Sequence, residues 1–509
     1  MQKVDCLFVS PNSASAAYQA LATRFSAIEP PTWALLLAES CRSRGFGVAI
    51  LDADAERLSP HEATLRVSDI APKMICIVVY GQNPNSGTLN MVGAIAIAEQ
   101  VKAEFPSLPI AIVGSHVSAL PDEVLALNCI DIVLLNEGVY ALHNLLSSSL
   151  TIDDLKKIRG IGYKVGHRLV LNDPERIVPQ DRMDIDLPGY AWDLLPYRRI
   201  PLDLYRAHVW HADFDESKRS PFAAIYTSLG CRYGCDFCMI NIVNRQSNKA
   251  STSAADSRVM RHWSPDLIVR ELQKLKALGV STVRISDEMF FLSQKHFEPI
   301  VTSEIVQDLD LRMWAYARVD TVRNKYLEDF YEAGISWLAL GIESGAQHVR
   351  REVSKGTFKD VDIRDIVETI RAHDINVIAN YIFGFEHENL SDMQATLDLA
   401  LELNTEMANM YPCQALPGSP MYNRAVQEGR EVPRRYEEFG FLSYETRPLP
   451  TKYLSPEEVL GFRDKAWQTY FTNPSYLNLV ERKFGSQERV NIETMAGIRL
   501  KRKILGDKP

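Results

Sequence analysis

Short apolar runs alternate with amphipathic stretches along most of the chain, and this alternation limits the fold more tightly than any other feature. Five runs occupy the first part: "VDCLFVS" (4–10), "GVAILDAD" (47–54), "MICIVVYG" (74–81), "PIAIVGSH" (109–116) and "DIVLLNEG" (131–138). Each is nearly continuous in Val, Ile and Leu, the pattern of strands buried on both faces, so a parallel sheet covered by helices is predicted. Helical periodicity lies between them, as in "PTWALLLAESCRSRG" (31–45), opened by Pro31 and closed by Gly45. Six more runs follow: "PFAAIYTS" (221–228), "TVRISD" (282–287), "RMWAYAR" (312–318), "WLALGIES" (337–344), "VIANYIFGF" (377–385) and "MANMYPCQAL" (407–416). The clearest helix among them is "SPDLIVRELQKLKALG" (264–279), with Ser264 as N-cap, Pro265 in the first turn and Gly279 past the end. Six β/α units fit a closed or partial barrel better than an open sheet.

A chain of 509 residues is too long for one ordinary core. The expected division is 1–150, a connecting segment 151–220, a barrel 221–420 and a mainly helical region 421–509. The net charge of -9 gives no electrostatic footprint for nucleic acid or an anionic membrane surface. No run of about 20 apolar residues appears, and the start "MQKVDCLFVSPNSASA" lacks the pattern of a signal peptide. A cytoplasmic location follows as the expectation, where thiols stay reduced and clustered cysteines bind metal more often than they pair.

Parallel sheets bind ligands beyond the carboxyl ends of their strands. In the first part those loops are "GQNPNSG" (81–87), "GSHVSALP" (114–121) and "NEGVY" (136–140), small and polar enough for close approach around a large cofactor. The phosphate-binding GxGxxG pattern is missing from the first strand-to-helix turn, which argues against NAD. Taken alone, a loop asparagine or serine reads as a turn former and His116 as a capping or surface residue. In the barrel, the first strand runs into Cys231, Cys235 and Cys238, and the second ends in Asp287–Glu288. The third ends in Arg318, the fourth in Glu343–Ser344 and the fifth in "GFEHE" with Glu386. Thiols, carboxylates and a guanidinium thus meet on one rim.

Three cysteines within "CRYGCDFC" ask for a metal. A zinc site needs a fourth ligand, which His211 or His262 would have to supply, and C-x3-C-x2-C is not the paired spacing of zinc ribbons. Three thiolates on a tight loop suit an iron–sulfur cube with one iron left open for another ligand.

The triplet, with Phe237 in its aromatic slot, resembles the cluster motif of radical S-adenosylmethionine (SAM) enzymes, and "WAYARVD", "GIESG" and "NYIFGFEHEN" resemble later parts of that superfamily. The resemblance implies a [4Fe-4S] cluster on Cys231, Cys235 and Cys238. It further implies SAM contacts from Asp287 and Glu288 to the amino group, Arg318 to the carboxylate, Glu343 or Ser344 to the ribose or methionine portion, and Phe237 against the adenine. The first 150 residues, with "IAIVGSHVSALPDEVL" and "DIVLLNEG", are similar to the cobalamin-binding domain of B12-dependent members. That places Gln82, Asn83, Ser86, Gly114, His116, Glu137 and Gly138 near the corrin. Gly114-Ser115-His116 departs from the family's paired-glycine turn, and the DxHxxG motif is absent, which puts a lower axial histidine in doubt. The implied fold class is α/β: a Rossmann-like cobalamin-binding domain, a partial (β/α)6 barrel and a small mainly helical C-terminal region. The implied activity is methylation of an unactivated carbon of a small-molecule substrate through a 5′-deoxyadenosyl radical and methylcobalamin, with flavodoxin or ferredoxin as electron donor. Oxidative cyclisation or ring rearrangement uses the same parts. A methylthiotransferase acting on tRNA or protein would instead use Cys6, Cys41 and Cys76 for a second cluster, although Cys41 falls in a helical pattern and Cys76 in a strand. A corrinoid carrier with a structural zinc site is the non-enzymatic alternative.

Overall fold

The computed structural model describes residues 3–81, 84–197, 204–207, 221–249, 252–354 and 361–508. Gln82, Asn83 and His211 lie outside the described residues.

The five early apolar runs form strands β1 (Cys6–Ser10), β2 (Val48–Asp52), β3 (Ile75–Val79), β4 (Ile110–Gly114) and β5 (Ile132–Leu134). They pair in parallel in the order β2-β1-β3-β4-β5. The chain leaves β1 to one side for β2 and then to the other for β3, so a crevice opens between the carboxyl ends of β1 and β3. The sheet does not stop at residue 150. Strands β6 (Ile161–Val165) and β7 (Arg168–Leu171), from the stretch read as a connecting segment, extend it antiparallel beside β5. Their two-residue turn needs Gly166, which sits at φ +61 with open space around it.

The second sheet is an arc of parallel strands in chain order: β8 (Phe222–Ile225), β11 (Thr282–Ile285), β12 (Arg312–Arg318), β13 (Ile335–Glu343), β14 (Asn376–Phe383) and β15 (Met407–Pro412). Two short strands, β9 (Ser228–Leu229) and β10 (Arg261–His262), pair antiparallel at its mouth. Among the described residues β15 does not pair with β8, so the barrel is partial, as the resemblance implied. Local signals hold where they were strongest. Ser264 Oγ accepts from Leu267 N–H, Pro265 opens the helix Pro265–Ala277, and Gly279 turns out of it at φ +86.

The open edge of β8 is covered by the aromatics of the connecting segment. The Tyr190 hydroxyl donates to Tyr226 O and accepts from Tyr226 N–H, both at 2.8 Å. Tyr197 Oη donates to Phe222 O at 3.0 Å, and Trp192 stacks on Tyr190. These rings take the place of a further strand. One apolar core runs through both sheets, from Phe8 and Trp33 to Phe222 and Trp314. The helices Pro456–Phe471, Pro474–Phe484 and Ser486–Ala496 seal the other edge, where Arg463 Nε donates to Met410 O and Tyr470 Oη to Thr405 O, each at 2.7 Å. Gln19 ties this region back to the first sheet through Leu442 and Lys501. Among the described residues no helix is long and apolar enough to cross a membrane.

Candidate cofactor cavity between the two sheets

Gly230, at φ +84, turns the chain out of β9 where a Cβ would lie 2.1 Å from Val259 O. The loop it starts carries the three cysteines and is clasped at several points. Asn241 Oδ1 accepts from Cys231 N–H at 2.9 Å while its amide donates to Cys231 O at 2.8 Å. Asp236 forms a two-pronged pair with Arg424, and its backbone bonds Val353 and Met421. All three thiols are half-buried and free of disulfides. Burial pushes Cys231 up to about 11, Cys235 up to about 12 and Cys238 well above its ordinary value. Such thiols ionise only beside added positive charge, which a cluster iron supplies. Among the described residues no three Cys, His, Asp or Glu side chains are gathered to hold a single metal ion, so no closed zinc site forms with His262. That imidazole instead packs on His296, with 4.7 Å between centroids.

The acidic rim divides into tied and open members. Asp287 is fully engaged: it accepts from Thr227 N–H, Thr227 Oγ1 and Ser228 Oγ, binding the end of β11 to the end of β8. Thr227 Oγ1 also meets His296 Nε2 at 2.8 Å. Glu288, one residue on, has a covered Oε1 with no hydrogen-bond partner. Burial, reinforced by Asp287, raises its carboxyl to about 8. An unpaired buried carboxyl oxygen is costly and fits an incoming cation. Arg318 holds Asp320 through two bonds of 2.6 and 2.7 Å and lies 3.8 Å over the Tyr233 ring of the cysteine loop. Glu343 ends β13 at φ +67, a strained position for a side chain of its size. Burial raises it to about 7, against the pull of Arg318.

Ser344 does not join this group. Its hydroxyl is fully buried between Glu388 Oε1 at 2.9 Å and Thr396 Oγ1 at 3.1 Å, and Glu388 Oε2 accepts from Gly384 and Phe385 N–H. The serine therefore braces the loop after β14. Glu386 is likewise spent, on Arg424 and Arg430. Phe237 faces inward beside Phe385.

Of the corrin-side residues, Ser86 faces the space between the sheets. Gly114 is required because a Cβ would come within 2.5 Å of Val79 O. His116 is turned into the protein: Nδ1 meets Thr88 Oγ1 at 3.2 Å, Nε2 meets Glu123 Oε1 at 3.3 Å, and Tyr436 packs edge-on. Glu137 is buried, accepting from Val178 N–H and pairing with Arg261 at 2.9 Å, so it joins the first sheet to β10. Gly138 starts the helix Val139–Leu146 at φ +77.

Between the sheets lies a cavity of about 600 Å³. Its walls include Ser10 and Asn12 after β1, Gly81, Asn85 and Ser86 after β3, and Phe237 beside the cysteines. Asn409 and Tyr411 of β15 with Phe441 and Trp467 of the C-terminal region close it. The crevice of the first sheet and the cysteine loop of the second thus open into one space. Two contributors were not legible in the sequence. Glu29, which holds Arg284 of β11 at 2.6 and 2.7 Å, comes from an irregular stretch without a motif. Asn85 stands in the quoted loop "GQNPNSG", but nothing there ranks it above its neighbours.

The sequence model of the B12 binding domain matches residues 18–146, and that of the radical SAM superfamily matches residues 225–400. The chain thus joins a B12 binding domain to a radical SAM domain. An uncharacterized methyltransferase of Pyrococcus horikoshii is 24% identical over 479 residues, 94% of each protein. An anaerobic magnesium-protoporphyrin IX monomethyl ester cyclase of Rubrivivax gelatinosus is 23% identical over 487 residues, covering 92% of this chain and 78% of that one. The solved structure of TsrM from Kitasatospora setae, a radical SAM methyltransferase with cobalamin and a [4Fe-4S] cluster bound, superposes with a TM-score of 0.65 at 15% identity over 97% of this chain and 99% of that one. OxsB, with aqua-cobalamin and SAM bound, gives a TM-score of 0.67 at 14% identity over 97% and 71%. These structural likenesses are of fold. The cofactor set is cobalamin, a [4Fe-4S] cluster and SAM, and the donors present suit it: three free cysteines on one loop, an unpaired carboxyl oxygen at the rim and a large cavity at the crevice.

Proposed function

We propose that the protein is a methyltransferase acting on an unactivated carbon of a small molecule. The observation that carries this reading is the single cavity walled by both the crevice of the B12-binding domain and Phe237 of the cysteine loop. A methyl donor and a radical generator that face the same space serve one substrate carbon without its leaving the site. When bound, the cluster and SAM supply a hydrogen-abstracting radical, and cobalamin supplies the methyl group.

The chain's own residues bind and orient these groups. Cys231, Cys235 and Cys238 ligate the cluster. Glu288, rather than the fully bonded Asp287, receives the SAM amino group, with Glu343 beside it and Phe237 against the adenine. Arg318, clamped by Asp320 and stacked on Tyr233, fixes the positive side of the site. Ser86, Gly114 and Gly138 border the corrin. His116 and Glu137 position those loops from behind, because their polar atoms are already engaged. Phe441 and Trp467 exclude water at the far wall. The electron donor, a flavodoxin or ferredoxin in this reading, is external to the chain.

Support for methyl transfer comes from the methyltransferase relative that matches 94% of the chain and from the fold shared with TsrM, which has also been solved with tryptophan as substrate. The cyclase relative, matching 92% of the chain, supports the second reading. Anaerobic incubation with SAM, a reductant and candidate substrates separates the two. Methyl transfer yields 5′-deoxyadenosine and S-adenosylhomocysteine together. Deoxyadenosine without S-adenosylhomocysteine would overturn methyl transfer in favour of cyclisation.

A further inference from the structure

We propose that Asn85 is a positioning residue through which cobalamin in the cavity sets the reduction potential of the iron–sulfur cluster. The inference rests on the assignment of Cys231, Cys235 and Cys238 to the cluster and of the cavity to cobalamin.

Asn85 belongs to the loop after β3, in the B12-binding domain, yet its side chain reaches the cysteine loop of the other sheet. Its Oδ1 accepts from Met239 N–H at 3.2 Å, and its Nδ2 lies 4.0 Å from Cys238 Sγ. A backbone N–H only donates, so the amide oxygen must face Met239 and the NH2 group must face the sulfur. The orientation is therefore settled by chemistry. A thiol accepts weakly, which suits the long contact. The same sulfur as an iron-bound thiolate carries negative charge and accepts more strongly. Hydrogen bonds to cluster sulfurs are among the factors that set potential, and a donor favours the more negative, reduced cluster.

The loop is held at both ends. At Gly81, φ +64, a Cβ would lie 2.8 Å from Asn90 Nδ2 and 2.9 Å from Ser86 Cβ. At Gly87 it would lie 2.2 Å from Ser115 Oγ and 2.7 Å from Val79 O. Between these anchors, Gly81, Asn85 and Ser86 also form part of the cavity wall. A ligand that fills the cavity thus meets the side chain whose amide touches Cys238. Two sites that share one side chain are coupled, and the coupling acts in both directions.

The test is a redox titration of the cluster, followed by electron paramagnetic resonance, on the full-length protein reconstituted anaerobically with and without hydroxocobalamin. The wild-type midpoint is expected to shift on cobalamin loading. Asn85→Ala is expected to lower the midpoint and abolish that shift, and Asn85→Gln, which keeps the amide, to restore part of both. A wild-type midpoint indifferent to cobalamin overturns the inference by itself, even if the alanine variant fails to assemble. So does an Asn85→Ala protein, with iron content and cobalamin affinity intact, whose midpoint and shift match wild type. Wild-type protein that takes up no cluster or no cobalamin would instead overturn the assignment beneath it, and the inference with it.

Discussion

The chain holds two sets of three cysteines, and the fold gives them opposite surroundings. Cys6 and Cys76 sit on the adjacent strands β1 and β3, and Cys41 on the helix Thr32–Arg42 that covers them. The three share one region of the apolar core. Each is at most 1% exposed inside the apolar core, and burial pushes all three thiols upward. Cys231, Cys235 and Cys238 lie on a loop, half-buried, at the edge of the cavity where Phe237 forms part of the wall. Proximity is therefore not what distinguishes a cluster site from a core. A loop backbone, partial exposure and a neighbouring cavity are, and only the second set has them. The first set reads as small hydrophobes, which removes the main support for a methylthiotransferase with a second N-terminal cluster.

The largest effect that would break this contrast is on iron. Replacing any one of Cys231, Cys235 or Cys238 by Ala is expected to abolish the cluster and SAM cleavage while the circular dichroism spectrum stays native. Cys6→Ala, Cys41→Ala or Cys76→Ala is expected to leave iron and sulfide content unchanged. Loss of half the iron in the second group would reinstate a second cluster.

A sharper version sets two adjacent carboxylates against each other. Asp287→Ala removes both acceptor oxygens of three hydrogen bonds and is expected to cost about 2–3 kcal/mol in denaturant unfolding. Glu288→Gln should not lower stability and should weaken SAM binding about tenfold, roughly 1.4 kcal/mol, by calorimetry. The reverse pattern would show that Asp287 is the SAM contact. Core cysteine truncation comes next, at about 1–2 kcal/mol each by the same unfolding measurement.

The same carboxyl gives a pH dependence. Glu288 in the SAM-free fold is raised to about 8 from 4.5, so the folded state holds its proton more tightly than the unfolded state. Its contribution is complete below pH 4.5 and is lost as pH rises toward about 8. Glu288→Gln is therefore expected to flatten the fall in stability between those limits, measured without SAM. An unchanged slope would mean that Glu288 ionises freely.

Most of the fold was legible because apolar runs report burial on both faces directly. All eleven became strands near the expected positions. The hairpin β6–β7 was missed because "IGYKVGHRLVL" is short, with buried Ile161 and Tyr163 against exposed Val165 and Arg168, and it followed a helix-like stretch. In the site, residue types at strand ends foretold the rim, but not which atoms were already spent. Asp287 and Ser344 proved to be saturated by partners far away in sequence, and His116 by Thr88 together with the nearer Glu123. Glu29 and Asn85 were invisible for the same reason: their meaning comes from Arg284 and Cys238, which only the folded chain brings near.

The central claim is that one radical-generating cluster and one corrinoid face a common cavity, and counting both per chain tests it most directly. Protein reconstituted anaerobically with iron, sulfide and hydroxocobalamin is expected to hold one cube and one corrinoid, with Cys238→Ala losing the cube and keeping the corrinoid. Two cubes per chain, or a cube with no retained corrinoid, would contradict the account.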